Sequence, residues 1–196
     1  MRESGYDPQT IREAEARLRL FERGLELADR IRSAFAGVTL GDGVGLTESK
    51  GKDDYKDDET LAKYRSYDEK DDWQKLLLSE LNSASGGLCF FDAEGMRFHL
   101  PAYLIADLRG EYNFGMAFNL THLSDQCLTQ FELLDPEQRQ CVRAFLIHIL
   151  DDPDYEFERE DIQRALDSYW LDEEEQQSEQ GVAPQSATRS ESNFSG

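Results

Sequence analysis

Residues 90–110 read FFDAEGMRFHLPAYLIADLRG, an aromatic and apolar run inside a strongly acidic chain. Its punctuation marks helices. Asp92 is placed to cap a helix through Phe98, because a carboxylate accepts the orphan amide hydrogens of a first turn. Pro101 lacks an amide hydrogen and biases Leu100 toward extended geometry, so a break is expected there. The same proline suits the first turn of a second helix through Arg109, with Gly110 just past its end. Phe90, Phe91, Met96, Phe98 and Tyr103 read most simply as core. Arg97 and His99 are polar residues set among them. Read structurally, Arg97 stacks on aromatics and pairs with a carboxylate, with Asp53 or Asp54 of the acidic loop as the expected partner. Read functionally, Arg97, His99 and Tyr103 line an anion-holding or proton-handling pocket at the broken helix.

Toward the N-terminus, LCFF is a short run that suits a strand or a buried turn. Before it, DEKDDWQKLLLSELNSASGG reads as a helix with Trp73, Leu76, Leu77 and Leu81 on one face, and Leu61 and Tyr64 mark a shorter one. The segment GVTLGDGVGLTESKGKDDYKDDE is glycine-rich and reads as turns. It is not a phosphate loop: five residues separate Gly45 from Gly51 where the motif needs four, and Asp53 follows Lys52 where Ser or Thr belongs. Residues 7–37 form one long helix, capped by Asp7, with Pro8 in its first turn and Gly37 at its stop. Its apolar face (Ile11, Ala14, Leu18, Phe21, Leu25, Ala28, Phe35) is expected to pack on its own domain. A partner helix, and so an oligomer, is the alternative.

Toward the C-terminus, YNFGMAFNL alternates strictly, with Tyr112, Phe114, Met116, Phe118 and Leu120 on one side. This is strand periodicity, with LCFF as the candidate partner strand and a buried helix as the other option. LDPEQRQCVRAFLIHIL is the clearest helix, with an Asp135–Gln138 capping box, Pro136 at its first position and a stripe of Val142, Phe145, Leu146 and Ile149. Ile162, Ala165, Leu166, Tyr169 and Trp170 mark a last helix. The expected fold class is mainly α: residues 1–36 as the long helix, 37–171 as a single compact helical core with one short strand pair at most, and 172–196 as a disordered acidic tail.

The charge excludes several functions. The net charge of −20 rules out a general binder of phosphate backbones and argues against docking on anionic membranes. Residues 151–196 carry 14 acidic and 3 basic groups. Cys89, Cys127 and Cys141 are odd in number and lie in apolar runs, so a reducing cytoplasm is expected. The longest apolar run, LPAYLIADL, is interrupted by Asp107, and none reaches membrane-spanning length. His99, His122 and His148 lack metal-ligand spacing, and the acidic loops lack the central glycine of a calcium loop. No cofactor and no metal are expected.

FFDAEGMRFHLPAYL, the preceding GDGVGLTE and the following QRQCVRAFL resemble an uncharacterised bacterial family, a domain of unknown function. Its signature falls here on Phe90, Glu94, Gly95, Arg97, Phe98, Leu100, Pro101, Ala102, Tyr103 and Leu104. The resemblance runs from Ile31 to Leu171 and implies one mostly helical domain without an assigned activity. The functional expectation is therefore a non-catalytic acidic domain that binds a basic protein, most concretely an immunity-type protein plugging the active site of a toxin. Asp53, Asp54, Asp57, Asp58, Asp71 and Asp72 would make the contact. The alternative is a small enzyme with its site around Arg97 and His99.

Overall fold

A computed structural model describes residues 7–172. Among them are nine α-helices: α1 Pro8–Ala34, α2 Leu46–Asp53, α3 Asp58–Arg65, α4 Leu78–Ser83, α5 Ala93–Leu108, α6 Ala117–Thr121, α7 Asp125–Thr129, α8 Pro136–Leu150 and α9 Arg159–Ser168. Three 3₁₀ turns, Trp73–Lys75, Ser85–Phe90 and Pro153–Tyr155, fill gaps between them. The fold is mainly helical, with no strand among the described residues. The expected tail lies almost wholly outside the described residues, as do the first six positions.

α5 is the hub. Eleven of its residues are buried, among them Phe98, Leu100, Tyr103 and Leu104 at 0% exposure. A helix apolar on every side belongs in the middle of a bundle. α1 packs against α8 and α5, and α9 closes the far side against α8 and α6. The predicted stripe of α8 faces the core, and its capping box forms as expected, with Asp135 accepting from the Gln138 amide at 2.9 Å. Ile162, Ala165, Leu166 and Trp170 are likewise buried.

Five expectations are corrected. The glycine-rich segment GVTLGDGVGLTESKGKDDYKDDE, expected as turns, carries the whole of α2 over Leu46–Asp53 and the start of α3, because its glycines cluster before Leu46 and only Gly51 falls inside the helix. Pro101 does not break the helix: α5 runs through it without interruption. The proline forfeits one hydrogen bond to the Arg97 carbonyl, at about 3 kcal/mol in an exposed helix. Burying each large side chain around it returns about 1.5–3 kcal/mol, so packing wins. The strand pair is absent. Leu88–Phe90 lie in a 3₁₀ turn, and residues 112–116 form a loop leading into α6. The alternating set conceals a spacing of four: Tyr112, Met116 and Leu120 are buried, while Phe114 and Phe118 are 63% and 68% exposed. The helix expected before Ser85 divides into the turn at Trp73 and α4. Asp72 caps the first and Glu80 holds the Leu77 amide of the second, so Leu77 faces solvent. Finally, only the last part of α1 packs on the domain: Gly24, Ala28, Ile31 and Phe35 are buried, while Ile11, Leu18, Phe21 and Leu25 are exposed.

A glycine loop sets where α2 begins. One Asp92 oxygen caps α5 by accepting from the Gly95 amide at 2.8 Å, and accepts from the Val44 amide at 3.1 Å. This docks residues 43–45 on the first turn of α5. The approach is backbone to backbone: a Cβ on Gly95 would stand 2.4 Å from the Val44 carbonyl oxygen, and one on Gly43 would stand 2.8 Å from the Gly95 nitrogen. Because the obstacle to a methyl group at Gly95 is main chain, it cannot swing away. Gly95→Ala is therefore expected to cost about 3 kcal/mol, read from the urea midpoint at unchanged slope. A loss below about 0.5 kcal/mol would contradict this close docking.

Candidate functional site

The acidic loop is a helical hairpin clamped from inside. The Glu48 side chain on α2 is 1% exposed. Arg65, at the end of α3, donates to it through Nε at 2.7 Å and Nη2 at 2.6 Å, and Lys52 Nζ stands at 3.4 Å. The Arg65 hydrogen bonds hold the Glu48 carboxyl below the usual carboxylate range, against the opposing effect of burial. Such a forked pair fixes orientation as well as separation. Asp68 satisfies the first turn of α2, accepting from the Thr47 and Glu48 amides at 2.6 and 3.2 Å.

Between the helices the chain turns on Tyr55. The Lys56 amide donates to the Gly51 carbonyl at 2.9 Å and the Tyr55 amide to the Lys52 carbonyl at 3.1 Å, the two bonds of a Schellman ending. That motif places its turning residue in the left-handed region, where glycine is usual. Here the residue is tyrosine, at φ 56°, and it is 93% exposed. It is the sole non-glycine residue with positive φ among those described.

The predicted aspartates divide. Asp53, Asp54, Asp57 and Asp58 are exposed around Tyr55. Asp57 also caps α3, accepting from the Thr60 amide at 2.8 Å. Asp71 is exposed and Asp72 half-buried, in the segment that Asp68 ties to the opposite end of α2. Asp72 caps the turn at Trp73 through the Gln74 amide.

The residues expected at a pocket do not share an opening. Arg97 does not pair with Asp53 or Asp54. Its Nη2 lies 3.9 Å from Asp135, and its Nε donates to Gln138 at 3.1 Å, so it ties α5 to the start of α8. The sequence pattern could not choose between carboxylates 38 and 44 residues away in opposite directions. His99 is 0% exposed and stacks on Phe91 at 4.4 Å. Its Nδ1 lies 2.7 Å from the Gly95 carbonyl, which can only accept, so the proton sits on Nδ1 and Nε2 carries none. Burial pushes its pKa down to about 4, overriding that hydrogen bond. Tyr103 is also fully buried.

A second polar group went unforeseen. Tyr155 donates to Asp107 at 2.6 Å, and the Met116 amide donates to its other oxygen at 2.6 Å. Burial raises the Asp107 carboxyl to about 6 despite both donors. The pair borders a cleft of about 380 Å³ among α1, the end of α5 and residues 148–155. Its one sequence signal was an aspartate alone in LPAYLIADL. Among the described residues no group of His, Cys, Asp or Glu is arranged to hold a metal ion, and no helix is long and apolar enough to cross a membrane.

Residues 24–174 match a family of unknown function, DUF6714. The chain belongs to that family. The match takes in the glycine loop, the acidic hairpin and all of α5, and leaves out the projecting start of α1. Comparison with curated proteins and with solved structures finds no match in either. Membership in DUF6714 therefore supplies a domain boundary and no chemistry.

The buried imidazole makes stability depend on pH. With a folded pKa of about 4 against an ordinary 6.5, His99 contributes stability that is present above pH 6.5 and lost as pH falls toward 4. Asp107, raised from 3.8 to about 6, acts in the opposite sense across much of that window. The two separate in a variant: His99→Gln is expected to lose about 2 kcal/mol less than the native chain between pH 7 and 4.5. Parallel urea titrations at the two pH values measure the difference. Equal losses would contradict the neutral buried imidazole.

Proposed function

We propose that the chain is a non-catalytic protein-binding domain that presents its acidic α2–α3 hairpin to a basic partner. The observation that carries this reading is Tyr55. A left-handed backbone costs a residue with a Cβ about 1–2 kcal/mol relative to the right-handed form, and glycine would avoid it. Tyrosine stands there nonetheless, with nearly all its surface in water. Exposed tyrosines on rigid turns are favoured anchors in interfaces, since they add large contact area at little entropic cost. Asp53, Asp54, Asp57 and Asp58 flank Tyr55 along the exposed turn, interleaved with Lys52 and Lys56, and their carboxylates would give a cationic cleft direct ion-pair partners beside the ring.

An immunity-type role, with the hairpin plugging the active site of a basic toxin in a bacterial cytoplasm, is the most concrete form of this reading. Asp71 and Asp72 would extend the contact along the side of α2. The unpaired cysteines agree with a reducing compartment. No reaction is assigned to Arg97, His99 or Tyr103, because two of the three have no access to solvent.

Binding and folding should part at Tyr55. Tyr55→Gly is expected to stabilise the fold by about 0.5–1 kcal/mol while weakening partner binding by about 30-fold. Affinity capture from a lysate of the source cell, with mass spectrometry, compares three baits: the native chain, Tyr55→Gly, and Asp53→Lys with Asp54→Lys. A basic protein held by the native bait at low salt and lost with both variants supports the reading. Identical capture by all three, or no basic protein in the native capture, defeats it.

A further inference from the structure

The first half of α1 carries an apolar stripe that its own domain does not cover. Ile11, Leu18, Phe21 and Leu25 are 45%, 56%, 48% and 40% exposed, and Ala14 lies between them on the same face. The docked face of α1, built on Gly24, Ala28 and Ile31, is rotated from this stripe by about 100° around the helix. The stripe is thus a second face, not the frayed end of the first. Where α1 leaves the domain, a cleft of about 860 Å³ separates it from Asp151 and Pro153, bridged by the Arg23–Asp151 pair at 2.8 Å. Isolated helices of this length are marginal in water and usually gain their stability from a covered apolar face.

We infer that the stripe is the seam of a parallel two-stranded coiled coil with a second copy of this chain. The spacing sets Ile11, Leu18 and Leu25 at a positions and Ala14 and Phe21 at d positions. Charge selects the occupant. From Pro8 to Ala34 there are six arginines and five acids, so this helix is nearly neutral in a chain of net charge −20. Two copies can meet here with little net repulsion. Charge also selects the direction. In a parallel pair the g-position Arg17 faces Glu22, at e in the next heptad of the other copy, twice over by symmetry. An antiparallel pair sets glutamates 15 and 22 against their own kind, and Arg17 against Arg17 or the uncharged Gly24. The parallel register also uses all five apolar residues. The two-fold axis lies along the seam, which places the domains on opposite sides and leaves both acidic hairpins available.

Sedimentation velocity on the full chain at physiological salt tests the seam. A reversible species of twice the chain mass is expected as concentration rises to about 200 µM. Leu18→Glu with Phe21→Glu should weaken it by at least about 100-fold while leaving the urea midpoint unchanged, since both positions are exposed. Arg17→Glu and Glu22→Arg should each weaken it by about 5-fold, and the two together should restore it. A native chain that stays monomeric, or a double-glutamate variant that still dimerises, overturns the seam. Tighter association of Glu22→Arg alone overturns the parallel direction.

Discussion

One carboxylate oxygen holds the architecture where two stretches of main chain meet closely. Asp92 Oδ1 accepts from the first turn of α5 and from Val44 in the glycine loop. The helix at the centre of the core is thereby joined to the loop that launches α2. The contact works only because both surfaces are bare backbone, with Gly43 and Gly95 removing the side chains that would hold them apart. α2 starts immediately after this loop, so the direction of the acidic hairpin follows from a hydrogen bond made at the core.

Elsewhere, buried side chains take the place of regular structure in holding irregular segments. Gln130 Nε2 donates to the carbonyls of Leu88 and Phe91 at 2.9 and 2.8 Å, closing the 3₁₀ turn that replaced the expected strand. The Trp73 indole donates to the Phe35 carbonyl, and the Trp170 indole to that of Leu120. Gln138 reaches the carbonyl of Ala34 and accepts from Arg97, so one side chain binds α1, α5 and α8 together. Apart from the Arg97–Gln138 contact, each of these bonds gives a main-chain carbonyl a side-chain donor within the apolar interior. The hairpin is held differently, by the charged fork of Arg65 on Glu48. That pair is half exposed on its cationic side, so its service is to orient α3 on α2 more than to stabilise the fold.

Periodicity misled where one pattern contained another. Tyr112, Met116 and Leu120 satisfy an alternation of two and a spacing of four alike, and the exposure of Phe114 and Phe118 separates the readings only in the fold. Pro101 misled because the local cost of proline is real but smaller than the burial around it. The candidate site was legible in part. Asp53, Asp54, Asp57 and Asp58 stood out as charge, yet nothing local marked Tyr55 as left-handed, because glycine, the residue that signals such a turn, is missing there. Asp107 stood out as an aspartate in an apolar run, while its donor Tyr155 lies 48 residues away.

By itself, then, the amino-acid order determined what is encoded within about four residues: the caps at Asp7, Asp92 and Asp135, the buried stripes of α8 and α9, and the helical class. These follow from hydrogen bonds and side-chain spacings that close inside a single turn. Tertiary structure alone decided that Arg97 meets Asp135, that His99 is held neutral under Phe91, and that α1 divides into a docked half and a projecting one. In each case the deciding neighbour is distant in sequence. Only the packed core determines which polar partner lies within reach and which apolar face is covered.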